Sequence, residues 1–137
     1  MNIKYFVSGM IVMLVAAIAC ADGFKEKRVV ASVGADGVQR VEMTGGEYYF
    51  DPNVVVVKVD IPVELKVRKE GGIAPHDIVL KAPEAGIDFS ATLTTEPKII
   101  TFTPKKTGTY AFDCTKRFLF FKSHKDRGMH GRLEVVK

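Results

Sequence analysis

Short runs of alternating or clustered hydrophobic residues, separated by turn signals, dominate the chain from residue 29 onward. In residues 62–68, PVELKVR, apolar positions alternate with charged ones. Such alternation places every second side chain on one face of a sheet, so the strand is buried on one side and solvated on the other. Residues 54–60, VVVVKVD, form a run rich in β-branched residues, which favour strands.

The same criteria predict a chain made of strands, with no convincing helix. The sequence GADG at residues 34–37 separates the first two runs and predicts a hairpin. Residues 71–75 and 81–95 are expected to be loops, because Gly and Pro punctuate them. About eight or nine strands with turns between them predict an all-β sandwich. The runs predicted as strands are residues 29–33, 38–43, 47–50, 54–60, 62–68, 76–80, 98–102, 108–112 and 132–136, the last beginning near Leu133.

The amino-terminal residues have a different pattern. Lys4 is followed by an uncharged apolar run, residues 5–21, with small residues at its end and the length of the hydrophobic region of a secretory signal peptide. The run is too short for a membrane span, which needs about 20 residues. We therefore interpret residues 1–21 as a signal peptide released after Ala21.

Residues 17–20, AIAC, alternatively resemble a bacterial lipobox, and Cys20 would then carry a lipid anchor and begin the mature chain. Both interpretations predict a periplasmic or otherwise extracytoplasmic protein, either free or anchored to a membrane as a lipoprotein. Residues 22–45 are predicted to hold a charged lead-in and the first strands, and residues 46–137 the main domain.

The composition is that of a globular protein: 137 residues, 47% hydrophobic and 26% charged, enough for one domain with a core. The charge is unevenly distributed. Residues 114–137 contain seven Lys or Arg and two Asp or Glu, a net charge of +5, whereas residues 22–113 have a net charge of −2. The positive part would attract an acidic partner. Nucleic acid is not predicted as a partner, because export and the near-neutral remainder argue against it.

Metal-binding residue types are concentrated near the carboxyl terminus, where Cys114, His124, Met129 and His130 lie within 17 residues. His76, the remaining histidine of three, stands at the start of a predicted strand. In an antiparallel sandwich these two regions could meet at one pole. A thiolate, imidazoles and a weak thioether are the donors of copper in electron-transfer sites, whereas structural zinc sites use closed Cys and His sets.

Cys114 would be the only free cysteine of a chain from which Cys20 has been removed or lipidated. An unpaired thiol is uncommon in oxidising compartments. Three interpretations of Cys114 remain open from the residues alone. It could be a buried inert thiol, a disulfide partner of Cys20 if the apolar segment is retained, or a thiolate protected by a bound metal ion.

Four short motifs in a fixed order make residues 46–137 resemble the cupredoxins, the plastocyanin-like blue copper proteins. The motifs are PH at 75–76, GTYAFDC at 108–114, SH at 123–124 and GMHG at 128–131. The resemblance implies a Greek-key β-sandwich with one copper ion that cycles between Cu(I) and Cu(II). It also implies one-electron transfer with a protein redox partner, such as a cytochrome or a membrane oxidase with an acidic docking surface. No paired carboxylates or nucleophile triad are visible in the sequence, so an enzyme is not predicted.

By the same resemblance His76, Cys114 and His124 would bind the ion in a trigonal plane, with Met129 as the weak axial ligand. His124 would lie near the solvent as the electron exit. One departure leaves a second ligand set open: cupredoxins usually have a much shorter segment between the Cys and the second His, and this chain has nine residues there. In the second set His130 replaces His124 or Met129.

The segment between these two ligands contains four consecutive apolar residues, 118–121, flanked by Lys116, Arg117 and Lys122. They are expected to fold under as local core, to shield the copper, or to present an apolar patch for docking. The long segment also keeps a second function open, that of a periplasmic copper carrier or sequestering protein without a redox role. A purely structural sandwich would bind no metal.

Overall fold

The computed structural model describes residues 25–137, and the predictions for the signal peptide and for lipidation of Cys20 lie outside the described residues. No helix within this range is long and apolar enough to cross a lipid bilayer. The described part of the chain forms β1 (Arg28–Val30), β2 (Ser32–Val33), β3 (Gln39–Gly46), β4 (Tyr49–Asp51), β5 (Val54–Lys58), β6 (Val63–Lys69), β7 (Asp77–Ala82), β8 (Ile87–Thr92), β9 (Lys98–Phe102), β10 (Gly108–Asp113) and β11 (His130–Val136), with short 3₁₀ helices at Pro83–Ala85 and Lys125–Arg127.

Two sheets enclose one hydrophobic core. One contains six strands in the order β1-β5-β11-β10-β7-β8, and the other contains β2-β3-β6-β9, with β4 paired to β3. Both sheets supply side chains to the core, among them Met43, Phe50, Leu65, Ile78 and Phe112. The all-β sandwich predicted from the alternation of apolar and polar residues is therefore confirmed.

The β-branched run predicted as a strand forms β5, which lies inside the six-stranded sheet between β1 and β11. Both neighbours run parallel to it. Residues 54–57 are all buried, so both faces of this part of the sheet are covered. A strand covered on both faces needs a continuous apolar run rather than an alternating one.

The hairpin predicted at GADG is also present. It joins β2 to β3, which pair antiparallel. The Gly34 N–H donates to the Val38 carbonyl at 2.9 Å, and Gly37 adopts a φ of 77°, a left-handed conformation that favours glycine. The turn residues therefore set the register of this hairpin.

Several predicted boundaries are wrong. The run 29–33 is divided into β1 and β2, which belong to different sheets. The loop expected at residues 81–95 contains the end of β7, a 3₁₀ helix and the edge strand β8. The residues of β8 beyond Ile87 are exposed or half-buried, so this edge strand carries little hydrophobic pattern. The last strand begins at His130 rather than near Leu133, because His130 pairs with Asp113 of β10.

One end of the sandwich, which we call the site pole, collects the segments that carry the predicted donors. β10 ends there, and β7 and β11 begin there. Because β1 and β5 run parallel to β11, their first residues lie at the same pole. The described chain therefore also starts at the site pole.

Candidate metal centre

Three of the predicted ligands lie on three different segments at the site pole. His76 precedes β7, Cys114 follows β10, and His124 precedes the 3₁₀ helix Lys125–Arg127. All three side chains are buried. Cys114 lies two residues after the core residue Phe112, so its thiol points inward as the spacing predicts.

The donor atoms of these three side chains converge. Ring nitrogens of the two histidines and the Cys114 sulfur all lie within 4.8 Å of one another. The Nδ1 atoms of His76 and His124 are 3.1 Å apart, and the His124 Nδ1 is 3.6 Å from the Cys114 Sγ. A thiol and two imidazoles directed at a shared point form a donor set that fits a copper ion.

Burial determines the protonation of all three groups. It lowers the pKa of His76, with the nearby His124 as the second cause, and it lowers the pKa of His124, with Arg127 as the second cause. Burial raises the pKa of the Cys114 thiol to about 11. Near neutral pH the imidazoles are therefore uncharged and able to donate a lone pair, and the thiol keeps its proton until a metal cation replaces it.

Asp77 connects two of the ligand segments, and it was not among the residues predicted to form the site. Its carboxylate accepts hydrogen bonds from the Thr115 backbone N–H at 2.6 Å and from the Thr115 hydroxyl at 2.5 Å. Its own backbone N–H lies 3.5 Å from the Cys114 Sγ. The residue after His76 is thereby held against the residue after Cys114. The signal in the sequence is a carboxylate at the start of a buried strand, where an unpaired charge would be costly.

The nine residues between Cys114 and His124 do not displace the second histidine. The His124 backbone N–H donates to the Lys116 carbonyl at 2.9 Å, which closes residues 117–123 into a protruding loop. Lys116 and His124 form the base of this loop, and only Thr115 lies between Cys114 and Lys116. His124 therefore reaches the site directly from the closed base, and the additional residues extend outward.

We call residues 117–122 the aromatic loop. The four apolar side chains at 118–121 are between 56% and 101% exposed. The Phe121 N–H donates to the Phe118 carbonyl at 3.0 Å, and the two rings stack with their centroids 6.0 Å apart. Of the expectations for this segment, burial as local core is thus wrong, and an exposed apolar patch is present.

Met129 lies in the turn that leads into β11. It is fully buried, its backbone N–H donates to the His124 carbonyl at 2.9 Å, and its carbonyl accepts the Cys114 N–H at 3.0 Å. Gly128, just before it, has a φ of 108°, a conformation that favours glycine. The turn therefore holds the Met129 backbone beside His124 and Cys114.

His130, the histidine of the second ligand set, is the first residue of β11 and not a loop residue. Successive side chains of a strand point to opposite faces. The buried Leu133 and Val135 of β11 lie an odd number of positions from His130, so they are on the other face of the strand. The His130 side chain therefore points away from the core. The group of converging donors found among residues 25–137 does not include it.

Tyr48 and Arg127 cover the site. The Tyr48 backbone has a φ of 65°, uncommon for a residue other than glycine. Its ring meets the His124 ring edge-on, with the centroids 5.1 Å apart, and the Arg127 guanidinium lies over the Tyr48 ring at 4.6 Å from the centroid. His124 is only 3% exposed as a result. His124 also lines a surface depression, so its ring lies just beneath the molecular surface.

A surface depression of about 430 Å³ adjoins this cover. Its lining is mostly aromatic or apolar and contains three basic residues and one acidic residue, Glu47. The lining includes Tyr48, Ile73, Phe118, Phe121, His124 and Arg127. A molecule seated in this depression would contact the side chains nearest to the converging donors.

The positive charge predicted near the site is partly neutralised. Lys116, Lys125 and Arg132 form ion pairs with acidic residues, and Lys137 follows β11 at the opposite pole. Within the described residues, the basic side chains of this region that form no ion pair are Arg117, Lys122 and Arg127. The positive surface of the site pole is therefore centred on the aromatic loop and the depression.

No family model matches the chain, and no curated protein is significantly similar to it in sequence. Solved structures are similar in fold. The metal-binding domain of the Cu(I)-exporting P-type ATPase CopA of Streptococcus pneumoniae D39, solved with Cu(I), is 23% identical with a TM-score of 0.60, and the match covers 82% of this chain and 99% of that chain.

Two further similar structures are those of a "blue" copper protein and of an oxidase subunit. Auracyanin A, a "blue" copper protein of Chloroflexus aurantiacus, is 20% identical with a TM-score of 0.56, covering 73% of this chain and 100% of that chain. The periplasmic domain of cytochrome oxidase subunit II (CoxB) of Bradyrhizobium japonicum is 20% identical with a TM-score of 0.52. The match covers 72% of this chain and 83% of that domain. These likenesses establish the cupredoxin fold, so the predicted Greek-key β-sandwich of the cupredoxin type is confirmed.

Proposed function

We propose that this chain is an exported mononuclear copper protein that transfers one electron at a time with a redox partner. The observation that carries the proposal is the convergence of His76, Cys114 and His124, whose donor atoms lie within 4.8 Å of one another in a buried site. Thiolate and imidazole donors next to a buried methionine favour copper. The presence of a "blue" copper protein among the structurally similar proteins supports the same metal.

In this proposal Cys114, His76 and His124 would hold the ion, with the Cys114 thiolate as the strongest ligand, and Met129 would be a weak fourth ligand. The ion would supply the one-electron chemistry between Cu(I) and Cu(II). The outward position of His130 favours this ligand set over one that contains His130.

The surrounding side chains keep the ligands in place. The Asp77 carboxylate fixes the segment after Cys114, the Lys116 carbonyl fixes the His124 backbone, and the Tyr48 ring packs on the His124 ring. A site held in this way rearranges little when its charge changes, which favours rapid electron transfer. Since His124 is buried, the electron would leave through its ring and the overlying Tyr48.

The redox partner would dock at the depression beside Tyr48. Arg117, Lys122 and Arg127 give this surface a positive charge, which favours an acidic docking surface on the partner. A cytochrome or a membrane oxidase outside the cytoplasm is the proposed partner. The similarity to the periplasmic domain of an oxidase subunit supports both the location and the type of partner.

Reconstitution of the chain with Cu(II) tests the site. We expect one copper per chain and intense visible absorption from thiolate-to-copper charge transfer, with a matching electron paramagnetic resonance signal. Cys114→Ser and His124→Ala should each remove the absorption, and His130→Ala, the control, should keep it. A colourless chain that binds no copper would refute the proposal, and loss of the absorption in His130→Ala would select the second ligand set.

A second function, copper delivery without a redox role, is favoured by the similarity to the Cu(I)-bound ATPase domain. Stopped-flow reduction and competition with a Cu(I) chelator separate the two functions. Fast, reversible reduction with slow release of Cu(I) supports electron transfer. Slow reduction with rapid transfer of Cu(I) to the chelator supports a copper carrier.

A further inference from the structure

The aromatic loop contributes no donor to the metal centre, and its composition needs a separate explanation. Its apolar side chains, Phe118, Leu119, Phe120 and Phe121, are exposed to water, and Phe120 is 101% exposed. Removal of large apolar side chains from water is favourable. Contiguous exposed apolar residues, unlike scattered ones, mark a surface that another molecule covers.

The shape of the loop favours a fluid partner over a rigid one. The Phe121 N–H bonds to the Phe118 carbonyl, and Leu119 between them has a φ of 47°, so the apolar side chains surround a tight turn and do not form a flat face. A rigid protein would need a pocket that matches this protruding tip. The boundary between the headgroups and acyl chains of a bilayer accommodates such a tip without a preformed pocket.

Basic residues border the tip on both sides. Arg117 and Lys122 are its immediate neighbours in the sequence, and Arg127 lines the depression next to it. No ion pair within residues 25–137 involves any of the three. Aromatic and aliphatic side chains flanked by basic ones are typical of segments that bind the surface of anionic membranes.

The start of the described chain lies at the same pole as the loop. The Asn53 side-chain amide donates to the Lys25 carbonyl at 3.0 Å, and the Asn53 carbonyl accepts the Arg132 N–H of β11 at 2.9 Å. In the lipoprotein interpretation the mature chain begins at Cys20, five positions before Lys25. A chain anchored by a lipid at Cys20 would present the site pole, and with it the aromatic loop, to the membrane.

We infer that the aromatic loop is a membrane-docking element. Leu119 and Phe120, which do not line the depression, enter the interfacial layer of a bilayer that contains anionic phospholipid, and Arg117 and Lys122 contact the headgroups. Docking in this way places the site pole at the membrane surface, where a membrane-embedded redox partner is within reach. The inference does not depend on the identity of the metal.

The chain contains no tryptophan, so a single introduced tryptophan reports on the loop alone. The full-length chain carrying Phe120→Trp is reconstituted with vesicles of phosphatidylethanolamine and phosphatidylglycerol whose acyl chains are brominated. Val33→Trp is the matched control, because Val33 is an exposed residue of β2 at the opposite pole. We expect the bromine atoms to quench F120W fluorescence about threefold more than V33W fluorescence, since only the loop enters the bilayer.

Charge reversal tests the proposed contact of Arg117 and Lys122 with the anionic headgroups. Arg117→Glu together with Lys122→Glu in the F120W chain should weaken insertion by about fivefold per residue, because each basic side chain contributes to attraction toward an anionic surface. Vesicles without phosphatidylglycerol should show no difference between the two chains.

Three results would overturn membrane docking: no quenching of F120W, equal quenching of F120W and V33W, or quenching that charge reversal leaves unchanged. Absent quenching in a vesicle-bound chain would assign the loop to a protein partner instead. Copper binding is measured on the same chains by absorption, so failure of the copper site and failure of membrane docking are separate outcomes.

Discussion

At the scale of single residues, the contact between Asp77 and Thr115 connects the segments that carry His76 and Cys114. Asp77→Ala removes two hydrogen bonds to a carboxylate and leaves a backbone donor unpaired, so we expect the free energy of unfolding to fall by about 2–3 kcal/mol. Asp77→Asn keeps an acceptor oxygen and should cost only about 1 kcal/mol. Urea unfolding of the metal-free chains measures both values.

The same pair of variants has a spectroscopic readout. Asp77→Ala should shift or broaden the charge-transfer absorption of the copper-loaded chain, because the position of the Cys114 sulfur is no longer fixed. Asp77→Asn should preserve it. If the alanine variant matches the unsubstituted chain in both stability and absorption, Asp77 does not position the thiol.

The reactivity of Cys114 follows from its burial, which raises its pKa from 9.0 to about 11. At pH 8 about one Cys114 thiol in a thousand is ionised, and only the thiolate reacts. We expect iodoacetamide to modify Cys114 in the folded metal-free chain at least about a hundredfold more slowly than in the unfolded chain. Mass spectrometry of the peptide that contains Cys114 measures the rate, with the urea-unfolded chain as the control.

The sign of the pH dependence is set by the same shift. The pKa of Cys114 is near 9.0 in the unfolded chain and about 11 in the folded chain. Below about pH 9 the protonated thiol therefore contributes fully to the stability of the native state, and this contribution is lost as the pH rises through about 11. The alkylation rate should therefore increase steeply between these values. Rapid modification at pH 8 in the folded chain would contradict the buried position of Cys114.

At the scale of elements, the closed base of the aromatic loop predicts that the loop is dispensable for the metal centre. Replacement of residues 117–122 by one glycine leaves that glycine and Ser123 between Lys116 and His124, so their hydrogen bond becomes that of a β-turn. We expect the copper absorption to persist and the free energy of unfolding to change by less than about 1 kcal/mol. Absorption spectroscopy and urea unfolding measure these quantities. Loss of copper binding would show instead that the loop positions His124.

The close approach of β11 to β5 predicts a second effect at this scale. A Cβ at Gly131 would lie 2.3 Å from the Asn53 carbonyl oxygen and 2.5 Å from the Phe112 ring, neither of which can move freely. Gly131→Ala should therefore lower the free energy of unfolding by about 1–3 kcal/mol. Thr109→Ala, on the exposed side of β10, is the control and should change it by less than about 0.5 kcal/mol. Equal values for the two variants in urea unfolding would show that the strands separate easily here.

At the scale of the whole molecule, the metal would join segments from distant parts of the chain. His76, Cys114 and His124 meet only in the folded protein, so copper should bind the native state and stabilise it by about 2.7 kcal/mol at a free concentration a hundredfold above Kd. Thermal unfolding followed by circular dichroism should show a higher midpoint with copper. Cys114→Ser should remove most of this increase, and an equal increase in that variant would indicate binding elsewhere.

Much of the fold and of the candidate site was open to prediction because the signals are local. The alternation in residues 62–68 and the β-branched run of β5 report burial on one or two faces of a strand, which adjacent residues specify directly. The order of His76, Cys114, His124 and Met129 also lies in the sequence, together with the residue types that suit copper.

Other features depend on contacts between residues far apart in the chain, and only the tertiary structure decided them. β8 lacks a strong pattern and forms because β7 offers a sheet edge. The Asp77 contact spans 38 positions, and Tyr48 covers His124 from another strand connection, so neither has a local signal. Residue order and composition thus determined the fold class and the donor types, whereas long-range packing decided which donors converge, that His124 is buried, and that the aromatic loop stays outside.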